Sequence, residues 1–190
     1  MKLVEPTIEY KEQAIDYIKE FYKYNSPING TGGLNRYLDN YEEWLLKVEK
    51  DKTCKEEGRV PALTKYLIRE EDNKIIGMIN IRLELNDYLK RCGGNIGYSI
   101  RPTERQKGYN KINLYLALKI CYEYGINEVY LDCNKDNIGS KKTMEALGGI
   151  CIGKYYDEEY GDCLKYKINT LESINKYRQY DQEETIRLGG

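Results

Sequence analysis

Residues 110–124, "NKINLYLALKICYEY", carry apolar side chains around most of a helical wheel, leaving Lys111, Asn113, Lys119 and Glu123 as the main polar positions. A helix apolar on nearly every side must be covered on nearly every side, so this chain has to pack it among other elements. Directly before it stands "NIGYSIRPTERQKGYN", residues 95–110, which reads as a strand, a basic loop and the start of that helix. Strand alternation sets Ile96, Tyr98 and Ile100 on one face and Asn95, Gly97, Ser99 and Arg101 on the other.

Around this centre the pattern predicts one α+β domain over residues 1–168. A short strand at 2–5 precedes a helix marked by Ile8, Ala14, Ile15, Ile18, Phe21 and Tyr22. The Gly/Pro/Asn-rich stretch 25–33 is a loop, and Leu34, Leu38, Tyr41, Trp44, Leu45 and Val48 mark a second helix to about Lys50. Two strand-like runs, 62–70 and 74–85, flank a turn at Glu71-Asp72-Asn73. In the second run Gly77, Ile79, Ile81, Leu83 and Leu85 form the core face, and Met78, Asn80, Arg82 and Glu84 the chemistry-bearing face. Past the long helix, which Gly125 ends, come a strand "EVYLDC", a helix from about Ile138 to Leu147 and a hairpin, 150–159 with 162–168, turned at Tyr160-Gly161. Residues 169–190 read as a polar extension, a weak helix or partly mobile segment with Leu171, Ile174 and Tyr177 at helical spacing.

With 30 basic against 31 acidic residues the chain lacks the positive excess of a nucleic-acid binder. Its longest apolar run, 75–81, falls far short of the roughly 20 residues a membrane span needs, and the first ten residues hold no signal core. A cytoplasmic protein with no membrane or nucleic-acid partner is expected. Six cysteines without a C-x-x-C pair, and no histidine, point to reduced thiols and no metal site. The lack of histidine also excludes Ser-His and Cys-His nucleophilic mechanisms.

Arg105, Gln106, Lys107, Gly108, Tyr109 and Asn110 lie between a strand and a helix N-terminus, where backbone N–H groups lack partners and the helix dipole is positive. Gly108 permits close approach of the backbone, and Arg101, Arg105, Lys107 and Lys111 add charge. A bound anion is expected. Neither a G-x-x-x-x-G-K-[ST] nor a G-x-G-x-x-G pattern occurs, which disfavours P-loop and dinucleotide folds.

These residues resemble the GCN5-related N-acetyltransferase (GNAT) superfamily, and a bacterial subgroup of predicted acetyltransferases within it. "IRPTERQKGYN" is similar to the family's acetyl-coenzyme A motif, Gln/Arg-x-x-Gly-x-Gly/Ala, and "DNIGSKKTMEALGG" to its Asn-x-x-Ser/Ala helix. The resemblance covers roughly residues 2–168. It implies a mixed, mostly antiparallel sheet flanked by helices on both faces and splayed between its fourth and fifth strands, "NIGYSIR" and "EVYLDC". Acetyl-coenzyme A would enter that gap, its pantetheine and pyrophosphate held by the backbone of Ile100 and of Arg105 through Asn110, with Asn137 and Ser140 on the pantetheine arm. Two positions depart from the family. Asn110 replaces the motif's last small residue, and Met144 stands where members often place a tyrosine general acid.

Acetyl transfer needs a neutral amine and stabilisation of the oxyanion on the thioester carbonyl. Coenzyme A leaves as a thiolate with a pKa of roughly 8.5, so a general acid is helpful rather than obligatory. Asn95, where many members carry Glu, cannot titrate; Glu84 on the adjacent strand is the expected base, acting through a water, with Asn95 orienting that water or the amine and Tyr98 a second proton-transfer candidate. Arg36 and Tyr37, in the loop 25–37, and Tyr155 and Tyr156 would recognise the acceptor, with Asp157, Glu158 and Glu159 attracting a cation. The expected partner is a small-molecule amine, a protein amine being the nearest rival and a non-catalytic acyl-coenzyme A binding module the rival of another class. A homodimer through the last strand and the extension is also expected.

Overall fold

In a computed structural model, which describes residues 1–181, the elements run β1 (Lys2–Val4), α1 (Lys11–Lys23), α2 (Tyr41–Asp51), β2 (Ala62–Arg69), β3 (Lys74–Arg82), α3 (Asp87–Arg91), β4 (Ile96–Ile100), α4 (Tyr109–Glu123), β5 (Glu128–Asn134), α5 (Ile138–Ala146), β6 (Ile150–Asp157), β7 (Gly161–Asn169) and α6 (Thr170–Lys176). The strands form two antiparallel sheets, in the orders β1-β2-β3-β4 and β5-β7-β6. The expected splay between the fourth and fifth strands is therefore a full break. The sheets touch where Gly94 bridges Leu131 and where the Asn95 N–H donates to the Tyr130 carbonyl at 2.7 Å.

Helices cover both faces of the first sheet. On one side α1 and α2 pack Tyr17, Phe21 and Trp44 against Tyr66, Ile75 and Met78; on the other, Leu114 and Leu118 of α4 meet Ile79 and Ile81. Both faces of β3 are thus core, correcting the reading that only the Ile79 face is. The strand also stops at Arg82, so Glu84 sits in an exposed bend rather than on a strand face. Asn86 caps α3 by accepting from the Leu89 N–H at 2.9 Å, and the chain leaves the sheet to enter that turn.

The second helix starts at Tyr41, not Leu34. Gly33, with φ 81°, and a short 3-10 turn at Leu34–Arg36 precede it. Leu34 is buried all the same, which explains its helix-like spacing.

Residues 170–181 are packed rather than appended. The Tyr115 hydroxyl on α4 donates to the Ile174 carbonyl at 3.3 Å, the Tyr115 and Tyr180 rings lie 6.1 Å apart, and Lys119 pairs with Asp181 at 2.6 Å. This cover is what the all-round apolar character of α4 requires. The rest of the expected extension, 182–190, lies outside the described residues. Among the described residues no helix is long and apolar enough to cross a membrane, and no cluster of side chains could hold a metal ion.

Candidate functional site

The loop from β4 to α4 is fastened from below. Glu104 is buried between Lys107, Lys74 and Arg69, at 2.8, 3.0 and 3.1 Å. Burial alone would raise its pKa, but these cations outweigh it and hold the carboxyl at about 2. With the loop base fixed, Gln106 (φ 63°) and Gly108 (φ 82°) both take left-handed backbone, Gln106 at the cost of strain a non-glycine residue rarely bears. No side chain caps α4, and among the described residues the N–H groups of Gln106, Lys107, Gly108, Tyr109 and Asn110 have no acceptor. Left-handed turns leading into an uncapped helix make a concavity of amide donors. A Cβ at Gly108 would meet nothing within 4 Å, so the space above the loop is open.

The side-chain charges do less than the sequence suggests. Arg101 is buried, pairs with Asp16 and Glu20 at 2.8 and 2.9 Å, and lies 5.5 Å from the Tyr17 ring centroid. Arg105 donates to the Ile100 carbonyl and to Ser26 Oγ, and Lys107 belongs to the Glu104 cluster. The expected four-cation anion site is therefore corrected. Backbone amides, with Lys111 beside them, are the groups free to meet a pyrophosphate.

Asn110 turns sideways. Its Nδ2 donates to Thr143 Oγ1 on α5 at 3.4 Å, so the side chain is directed at α5. Asn137 caps α5, its Oδ1 accepting from the Ser140 N–H at 3.0 Å, and Ser140 Oγ meets the Tyr98 hydroxyl at 2.6 Å. The Tyr98–Ser140 bond joins β4 to α5 across the break between the sheets. Burial pushes the Tyr98 pKa well above its ordinary value, so its hydroxyl stays protonated.

Asn95 is not placed as an orienter of water. Its Oδ1 accepts from the Tyr130 N–H at 2.9 Å and its Nδ2 donates to the Arg82 carbonyl at 3.2 Å, so the side chain stitches β4 to both neighbours. Glu84, exposed beyond the end of β3, does not meet it. Met144 is fully buried in the core.

The loop between α1 and α2 closes on β4. Ser99 Oγ donates to the Asn29 carbonyl at 2.6 Å, and a Cβ on Gly30 would meet the Gly97 carbonyl oxygen at 2.5 Å. Arg36 and Tyr37 instead line a separate cleft of about 640 Å³ with Asp39, Asn40, Glu43, Lys47 and Arg59. Tyr156 is 73% exposed, whereas Tyr155 points inward to Asp132 Oδ2 at 2.9 Å. Asp157 spends one carboxylate oxygen on the Glu159 and Tyr160 N–H groups of the hairpin turn.

Two residues to which the sequence assigns no specific role, Asp132 and Arg82 of the chemistry-bearing face, stand out beside this face. Asp132 has a side chain 5% exposed and an Oδ1 with no hydrogen-bond partner among the described residues, and Arg82 is a half-buried cation. In "EVYLDC" Asp132 falls with Glu128 and Tyr130 on the face opposite Val129, Leu131 and Cys133, so the sequence alone marks it as an ordinary outward carboxylate.

The chain matches the Acetyltransferase (GNAT) domain over residues 12–150. Among solved structures it is similar to a ribosomal-protein-S5-alanine acetyltransferase from Vibrio fischeri (TM-score 0.68, 15% identity, 89% of this chain and 91% of that one). It is likewise similar to Mycobacterium smegmatis RimJ in complex with CoA-disulfide (0.69, 13%, 92% and 87%). A chimeric spermidine N-acetyltransferase SpeG from Vibrio cholerae gives 0.63 at 16% identity, covering 92% and 98%. No curated protein sequence matches.

Proposed function

The chain belongs to the GNAT acetyltransferase family, and we propose that it moves acetyl from acetyl-coenzyme A to the primary amine of a small molecule. The observation that carries the cofactor half is the row of partnerless amides from Gln106 to Asn110 at an uncapped helix start. These amides take the pyrophosphate, while the Ile100 backbone with Asn137 and Ser140 borders the pantetheine arm in the break between β4 and β5. The fit is one of donors to anion: the amides are unspent, and no side chain fills the space above Gly108.

When bound, acetyl-coenzyme A supplies the activated acyl group. Tyr98, protonated and set in the break between the sheets, is a hydrogen-bond donor beside the pantetheine path. Asp132, with its free Oδ1, takes over from Glu84 and Asn95 the expected role of accepting the amine's proton, because Glu84 is out in solvent and the Asn95 amide is committed to backbone.

Replacing Gly108 by Val tests the cofactor half. A β-branched side chain in left-handed backbone both strains the loop and fills the approach to the amides. Calorimetry should show coenzyme A affinity reduced ~10-fold or more while the unliganded Tm falls only modestly. Unchanged affinity in a folded variant would remove the phosphate-cradle assignment.

A further inference from the structure

Two half-used charges flank residue 93, where the chain enters β4. Arg82 Nη1 donates to the Gly93 and Gly94 carbonyls at 3.0 and 2.9 Å. Among the described residues its Nη2 and Nε have no acceptor, and no carboxylate pairs with it. Asp132, across residue 93, spends Oδ2 on the Gly93 N–H at 2.6 Å, the Tyr155 hydroxyl at 2.9 Å and the Lys165 ammonium at 3.4 Å, and leaves the buried Oδ1 unpartnered. Arg82 is only partly buried and feels Asp132 through space, but its remaining donors are unspent, and a buried carboxylate oxygen without a donor costs free energy unless something completes it.

Both groups border the acceptor side of β4. Gly97 lies between the loop at Gly30 and Arg82: a Cβ there would sit 3.6 Å from the Gly30 backbone and 3.7 Å from Arg82 Nη2. The missing side chain at Gly97 leaves Nη2 accessible beside the strand that borders the cofactor break. The unspent Nη2 and Nε donors of Arg82, rather than any net charge, favour an anionic group on the acceptor.

We propose that the acceptor is a small amino acid, bound as a zwitterion: Arg82 takes its carboxylate, and its ammonium approaches Asp132 Oδ1. A planar guanidinium matches a carboxylate through paired N–H bonds, which an amide carbonyl of a protein N-terminus matches less well. The inference rests on the acetyl-transfer reading above. In the reaction the amine nitrogen forms the C–N bond and the C–S bond breaks. The leaving thiolate takes up one of the two protons the ammonium gives up, and the other passes through Asp132 to solvent.

The test measures coenzyme A release by the full chain with free amino acids, the α-amide and the decarboxylated amine of each, spermidine, and a short peptide with a free N-terminus. At least one amino acid should exceed its amide and its decarboxylated amine by ~10-fold or more in kcat/KM. Arg82→Gln should raise the acceptor KM and bring that ratio to within about 2-fold, while Arg82→Lys should keep part of it. Gly97→Ala, whose added methyl makes only ordinary contacts, should raise the acceptor KM with the coenzyme A-induced Tm shift intact. Preference for spermidine, the peptide or the amides overturns the proposal, as does an Arg82→Gln variant that retains its coenzyme A response but slows every acceptor equally. Coenzyme A binding with no release for any amine would instead refute the small-molecule acceptor reading, and this inference with it.

Discussion

Gly30 shows how one residue ties the acceptor loop to the strand beneath it. With φ 69° and the Gly97 carbonyl oxygen 2.5 Å from the position its Cβ would take, it tolerates no side chain. Gly30→Ala combines left-handed strain with a backbone clash, together about 2 kcal/mol or more. The expected readout is a Tm lower by roughly 4–8 °C together with a raised acceptor KM, since the loop must lift from β4. The sequence marks this residue only as part of a Gly/Pro/Asn-rich loop. Nothing in the order of residues 25–33 says which glycine meets β4. Asn95 shows the reverse case: its type made it a candidate for chemistry, and its place makes it a backbone stitch between strands.

The β4–α4 connection works as a unit because Glu104 anchors it to the β2–β3 hairpin. Its folded pKa, about 2, lies below the ordinary carboxylate value. The carboxylate therefore stabilises the fold fully above pH ~4.5, and that contribution disappears as pH falls toward 2. Glu104→Gln should cost on the order of 2–3 kcal/mol at neutral pH. Melting curves of both proteins should converge between about pH 5 and pH 2. Coenzyme A affinity should drop in the variant too, because the amides lose their fixed base; a pH-independent Tm difference would remove the ionic account. Sequence spacing located this strand, loop and helix. It also led to the wrong source of positive charge, because Arg101 and Lys107 meet carboxylates from α1 and from within the loop rather than solvent.

At the scale of the whole molecule, the apolar wheel of α4 is satisfied only when residues 170–181 are in place. Ending the chain after Asn169 should expose the Tyr115 side of α4 and free the Ile126 and Asn127 carbonyls that accept from Thr170 Oγ. Thermal unfolding followed by circular dichroism should show a Tm loss above about 10 °C, or failure to fold. A shortened chain melting with the parent would show that this segment is an appendage.

Local pattern alone determined most of the elements, the strand–loop–helix that holds the amide concavity, the burial of α4 and the exclusion of histidine chemistry. These follow from periodicity, glycine placement and composition, which act over a few residues. Tertiary structure decided which charges are spent and which are free. It separated the sheets, ended β3 before Glu84, used up Arg101 and Asn95, and left Arg82 and Asp132 incompletely partnered. The physical reason is that the state of an ionisable side chain depends on burial and on partners tens of residues away, as Arg101 with Asp16 and Asp132 with Gly93 show.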